Sequence, residues 1–322
     1  MKSIVVGELH TDIVASGIKK FPEAGQLVQA EQLQINPGGK SPNVARMMAA
    51  LSLEDSVAMV SRTTDDPYGL GQIPLLALQQ SGVNTDHVVV AKYNNVLPGI
   101  ALIPVDVKGN NQIIVASGVS TDFSPEDIDS AAPLFESVGK NTGLLALTME
   151  CPINTAVRSV QLAAEHGLKV MFDPGGINSA ADAAQIIDAG VYLIKPNEHE
   201  ARILTGVEVV SFETARMAAQ MLQAENIQNV LITAGVEGAY LFTENLARHI
   251  PVTNLNIDGD EVDETGCGDQ TMAALCAFIQ DGDDIGQAAE KALLAGTLQF
   301  HRAGIRPVTR HEFEEAVRKV KL

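Results

Sequence analysis

Between Ser120 and Thr233, short apolar runs alternate with stretches of helical period, and no other feature constrains the fold as tightly. The expected strands lie at 144–147, 169–172, 191–194 and 230–233. The expected helices lie at 125–137, 153–166, 180–189, 197–205 and 213–224. Strands that alternate with helices imply a parallel sheet covered on both faces, a doubly wound α/β core. The β-branched run Ile4-Val5-Val6, ending in Gly7, reads as a further buried strand of that sheet. A short polar stretch follows each strand: Met149-Glu150, Asp173 to Gly176, Lys195 to Glu200, and Ala234 to Gly238. Parallel strands place all of these loops on one edge, where ligands bind in open α/β sheets. Glu8 to Asp12, after the first strand, reads as a polar loop at the same edge.

A second region breaks the alternation. Residues 99–105 and 112–116 read as a hairpin turning at Lys108-Gly109-Asn110-Asn111, with no helix between. With the weakly alternating residues 21–37, they predict a small antiparallel sheet apart from the main one, a lid formed by 13–37 and 92–117. The core is then 1–12, 38–91 and 118–322. The exposed edges of such a sheet make a homodimer through the lid an expectation.

The charge narrows the partners. A net charge of −18 argues against nucleic acid and anionic membrane, both of which require a basic footprint. Three widely spaced cysteines match no zinc pattern and fit a reduced, cytoplasmic chain. The N-terminal apolar run is too short for a signal peptide, and no run reaches the roughly 18 apolar residues that cross a bilayer.

The chemistry is concentrated near Asp263-Glu264-Thr265-Gly266-Cys267-Gly268-Asp269. Met272, Leu275, Cys276 and Ile279 then recur at the spacing of a helix with one buried face. Gly266 and Gly268 let the backbone pass close to a ligand at the amide end of that helix, where an anion such as a phosphate is favoured. Asp269 at the helix start is positioned to take a proton from an attacking hydroxyl. Read alone, the segment is equally an Asp cap after a glycine turn. Gly38-Gly39-Lys40-Ser41 is not a P-loop, because Gln34 stands where the first glycine belongs. Gly7 lacks the glycines of a dinucleotide fingerprint. Glu198 and Glu200 fit either helix-dipole complementation or binding of Mg²⁺ beside a phosphate.

Four motifs in order, Gly38-Gly39-Lys40 with Asn43, Pro196-Asn197-Glu198 with Glu200, Thr233 with Gly235 and Gly238, and Asp263 to Asp269, resemble the ribokinase-like carbohydrate kinases, the PfkB family. The resemblance implies transfer of the ATP γ-phosphate to a primary hydroxyl of a pentose or related carbohydrate. It implies Asp269 as the base, with the amides of Gly266, Cys267 and Gly268 as the anion hole. It places Asp12, Gly39, Lys40, Asn43 and Glu150 around the sugar, and Asn197, Thr233, Gly235 and Gly238 around the nucleotide. Glu200 would hold Mg²⁺ through water, and Asp263 would lie near K⁺ in potassium-activated members. A nucleoside or sugar-acid kinase, or a non-catalytic sugar-binding regulator, uses the same fold. Glu8, Ser41-Pro42 and Pro98 depart from the family pattern on the sugar side. Cys267 replaces the usual Ala and is expected to have a lowered pKa beside an electropositive helix end.

Overall fold

The computed structural model describes residues 2–53, 56–138, 143–177, 179–255 and 262–320. In chain order the strands are β1 (Ser3–Val6), β2 (His10–Ile18), β3 (Gln32–Gly38), β4 (Val57–Thr64), β5 (Asn84–Ala91), β6 (Gly99–Asp106), β7 (Ile114–Ala116), β8 (Leu144–Thr148), β9 (Lys169–Asp173), β10 (Leu193–Ile194), β11 (Asn229–Thr233), β12 (Ala239–Phe242) and β13 (Ala247–Ile250). Nine form one sheet in the order β13-β12-β11-β10-β9-β8-β1-β4-β5. It is parallel except for the β11-β12-β13 meander at one edge.

Alternation along the buried strands explains why helices cover both faces. Ile4 and Val6 point to one side of the sheet, with Phe172 and the helices Ile153–Glu165 and Phe212–Ala224. Val5 points to the other, with Met171 and the helices Lys40–Leu51, Cys267–Gln280 and Ile285–Phe300.

The strand order fixes the position of the site. From β1 the sheet grows through β4 and β5 in one direction and through β8 to β11 in the other, so the winding reverses between β1 and β8. That reversal opens a crevice at the carboxyl ends of the two strands. The helix Lys40–Leu51 starts there: Ser41 Oγ donates to the Val6 carbonyl at 3.0 Å and lies 2.9 Å from Thr148 Oγ1.

The small sheet has the order β3-β2-β6-β7. Its outer pairs are antiparallel, but β2 and β6 run parallel, so the sheet is mixed rather than antiparallel throughout. The strand at its centre begins earlier than polarity predicts. His10 and Thr11 are buried at the start of β2. Their polarity marks buried side chains with partners, His10 with Glu8 and Thr11 with the Leu70 carbonyl, not a solvated loop.

Two other differences have local causes. The expected helix 125–137 is two helices, Pro125–Ser130 and Ala132–Ser137, since Pro133 can donate no hydrogen bond to the preceding turn. The expected strand 191–194 pairs only at Leu193–Ile194.

Candidate functional site

Two helix N-termini meet at the crevice, and each follows a glycine with positive φ. Gly39 (φ 95) caps Lys40–Leu51, and Gly266 (φ 77) caps Cys267–Gln280. A side chain is disfavoured at either angle. Asp269 lies in the first turn of the second helix and is 6% exposed. Its Oδ2 accepts from Asn43 Nδ2 at 3.1 Å, and its Oδ1 is 3.7 Å from Lys40 Nζ. The carboxylate therefore bridges the two helices. Burial raises its pKa, and Lys40 is the main influence holding it down. Lys40 is raised in turn, chiefly by Asp269, and stays an ammonium.

Gly268 is the open position of the turn. A Cβ built there would touch nothing closer than Lys195 Nζ at 3.8 Å, so neither packing nor φ demands glycine. The missing side chain leaves space in front of the free amides, as an anion-binding turn requires.

The turn opens onto a cavity of about 360 Å³. Cys267, Gly268, Asn197, Glu200, Thr233 and Gly235 line it, which unites the three expected nucleotide-side motifs. Gly238 lines it too but also has a packing reason to be glycine: a Cβ would stand 2.1 Å from the Ile250 carbonyl oxygen. Asn197 and Glu200 form a reciprocal helix cap. Asn197 N donates to Glu200 Oε2 at 2.8 Å, and Glu200 N donates to Asn197 Oδ1 at 2.8 Å. The cap fixes the Glu200 carboxylate at the cavity wall, where burial and the nearby Asp173 raise its pKa. Among the described residues no group of three or more His, Cys, Asp and Glu could hold a metal ion. A hard cation here fits the chain only as a shared ion, bound largely by phosphate and water oxygens beside Glu200.

On the other side of Asp269 the residues are carboxylates. Glu150 Oε2 accepts from Lys40 N at 2.6 Å. Asp12 covers Gly38 so closely that a Cβ on Gly38 would lie 1.9 Å from its Oδ1. Burial raises the pKa of both acids. Asn43 is 4% exposed, and its Oδ1 has no hydrogen-bond partner among the described residues. His10, unassigned by sequence, lies 2.9 Å from Glu8 Oε2 through its Nε2. Burial opposes its charge, but the Glu8 hydrogen bond and the fields of Glu150 and Asp12 outweigh burial and raise its pKa. Gly99, opposite His10 in the β2–β6 register, makes room for the ring: a Cβ there would be 2.4 Å from His10 Cδ2.

Asp263 has both carboxylate oxygens occupied by backbone amides. Its Oδ1 accepts from Thr265 N at 2.9 Å and its Oδ2 from Gly304 N at 2.8 Å, which ties two loops together. Cys267 corrects the sequence reading. Burial, followed by the charges of Asp263, Glu264 and Asp269, pushes its thiol up to about 12. The helix end is electropositive, but the surrounding carboxylates and desolvation dominate, so the thiol is a poor nucleophile at neutral pH.

Comparison with known proteins identifies the family and the fold. The family model described as pfkB family carbohydrate kinase matches residues 2–310. The ribokinase of Bacillus subtilis (strain 168) is 31% identical over 314 residues, covering 97% of each chain. The deoxyribokinase of Salmonella typhi is 29% identical over 294 residues, covering 91% of this chain and 90% of that one. The structure of Arabidopsis thaliana ribokinase complexed with ribose and ATP superposes with a TM-score of 0.86 at 23% identity, covering 98% of each chain. That likeness establishes the ribokinase-like fold. Among the described residues no helix is long and apolar enough to cross a membrane.

Proposed function

Because the chain belongs to the pfkB family of carbohydrate kinases, we propose that it transfers the γ-phosphate of ATP to a primary hydroxyl of a pentose or a closely related neutral sugar. The observation that carries this reading is the placement of Asp269, buried between an open amide turn and a cluster of acidic hydrogen-bond acceptors. ATP occupies the cavity, with Asn197, Thr233, Gly235 and Gly238 along it and its γ-phosphate toward Gly268. The sugar lies by Asp12, Gly39, Lys40, Asn43 and Glu150: the acids and the free Oδ1 of Asn43 accept from its hydroxyls, and the Lys40 ammonium donates.

Asp269 takes the hydroxyl proton as that oxygen attacks phosphorus, and Lys40 stabilises the ionised base. The amides of Gly266, Cys267 and Gly268 hold the charge that spreads over the phosphoryl oxygens in a loose transition state. Bound Mg²⁺ would neutralise phosphate charge, with Glu200 reaching it through water. K⁺ beside Asp263 belongs to the same proposal, through the loop that Asp263 ties to Gly304.

The test is ADP release from Mg·ATP with ribose, deoxyribose, fructose, 2-keto-3-deoxygluconate, adenosine, inosine and pseudouridine, with and without K⁺. Ribose or deoxyribose should stimulate release, and removing K⁺ should lower it. The sugar acid should not stimulate, because Glu8, Asp12, Glu150 and Asp269 would all face its carboxylate. Stimulation by the acid alone would overturn the acceptor assignment.

The proposed homodimer through the small sheet has its own support. Ile35, Ile13, Leu102 and Ile114 are register partners across the four strands, so they form one row on one face. Ile35, Leu102 and Ile114 are 49%, 45% and 61% exposed, an apolar stripe that a second copy would cover. Light scattering should give twice the mass of 34.1 kDa, and Ile114→Lys should return the monomer; a wild-type monomer would refute the assignment.

A further inference from the structure

Lys195 and Asp173 form an ion pair that the reading above does not use. Lys195 Nζ is 2.8 Å from Asp173 Oδ2, with side chains only 3% and 5% exposed. Asp173 closes β9, and Lys195 follows β10, its backbone amide bonded to the Phe172 carbonyl. The simplest account is a structural tie between neighbouring strand ends. Such a tie is weak grounds for keeping two buried charges, since apolar replacements of similar volume are often no less stable.

Three observations point elsewhere. Both residues line the cavity, although their exposed area is small. The Lys195 ammonium is the nearest atom to the space that a Gly268 side chain would fill, so it faces the amide turn. Asp173 is also held from its other side, where Oδ1 accepts from Gly175 N at 2.8 Å; it therefore keeps a partner if the lysine turns away. Lys40 approaches the same carboxylate: a Cβ on Gly175 would lie 2.9 Å from Asp173 Oδ1 and 3.1 Å from Lys40 Nζ. Two lysines thus converge beside the turn, in a chain with a net charge of −18 that must build its own local positive field.

We propose that Lys195 is a catalytic residue whose ammonium group moves from Asp173 to the transferred phosphoryl oxygens and, with Lys40 beside it, clamps them as the phosphorus changes partners. The proposal rests on the kinase reading above. Lys195 donates hydrogen bonds and transfers no proton. The acceptor oxygen–phosphorus bond forms, the bond from phosphorus to the bridging oxygen of ADP breaks, and the hydroxyl proton goes to Asp269. Asp173 parks the ammonium before the nucleotide arrives. An ammonium suits this task because it is a compact point charge on a flexible stem.

The experiment compares Lys195→Met with the double variant Asp173→Asn/Lys195→Met. Lys195→Met should lower kcat by about 10²- to 10³-fold, with the sugar KM within about threefold of wild type. It should also lower Tm, because the buried Asp173 carboxylate keeps its Gly175 hydrogen bond but loses its ion-pair cation. The double variant should regain the lost Tm but none of the lost kcat. A purely structural pair would regain both, and that result would overturn the proposal, as would single-variant turnover within about threefold of wild type.

Titration with ATP and with ADP, by calorimetry, separates this proposal from the kinase reading. Wild type should favour ATP over ADP by a margin that Lys195→Met abolishes, whether or not any sugar on the panel is turned over. An unchanged ratio overturns the role of Lys195 while leaving the kinase reading intact. Absence of turnover by wild type counts against the kinase reading alone.

Discussion

Asp269→Asn is expected to lower kcat by about 10²- to 10⁴-fold, the usual contribution of a positioned base, while the fold and nucleotide affinity persist. The amide is the same size as the carboxylate and can still accept from Asn43 Nδ2 through its oxygen. It cannot take up a proton at neutral pH, and it leaves Lys40 without its anion. The pH dependence should identify the group. Burial raises the Asp269 pKa, so the ionised, active form is lost as pH falls through a value above the usual carboxylate range. Wild-type kcat should therefore fall on the acid side, and the residual kcat of Asp269→Asn should lack that limb. Lys40→Met should move the limb to higher pH, because the main influence lowering the Asp269 pKa is gone. A coupled ADP assay across pH measures all three, and near-wild-type turnover in Asp269→Asn would remove the base assignment.

Gly268→Val is the second large effect, expected at about 10²- to 10³-fold in kcat/KM, comparable to the loss of a donor from an anion hole. The substitution is informative because the fold has no need of glycine here. The residue is helical, and its nearest neighbour would be a lysine tip 3.8 Å from the new Cβ. The melting temperature should change little, while the valine methyls stand where phosphoryl oxygens would meet the amides. Gly266→Val is the contrasting control: at φ 77 the side chain strains the backbone, so stability and activity should fall together. Unimpaired turnover in Gly268→Val would place the phosphate elsewhere.

The core was legible in the sequence because period is a local property. Ile4 and Val6 against Val5 announce their faces without help from the rest of the chain. The Met272, Leu275, Cys276 and Ile279 stripe does not, because that helix is buried nearly all round and Ile279 is partly exposed. The parallel edge followed from the alternation, and Asp173, Lys195, Asn197, Glu200, Thr233 and Gly235, which line one side of the cavity, lie on it. What could not be read was set by distant partners. The parallel β2–β6 pair joins residues about ninety positions apart, and no local pattern distinguishes it from a meander. His10 looked like loop because its polarity is satisfied by Glu8 and its ring by the absence of a side chain at Gly99. The Cys267 thiol was misjudged for the same reason: the helix end is local, whereas the burial around it is tertiary.

His10 and Gly99 occupy one shared volume from two strands, and that limits what either position can become. Altered one at a time, position 99 rejects every larger residue, and position 10 opens a hole if it is made smaller. A mutational survey by single substitutions would therefore score both as immutable. Enlarging position 99 and shrinking position 10 together does not relieve the fit, because a Cβ at 99 would still stand 2.8 Å from the Leu9 carbonyl oxygen: backbone as well as ring fixes this corner of the small sheet.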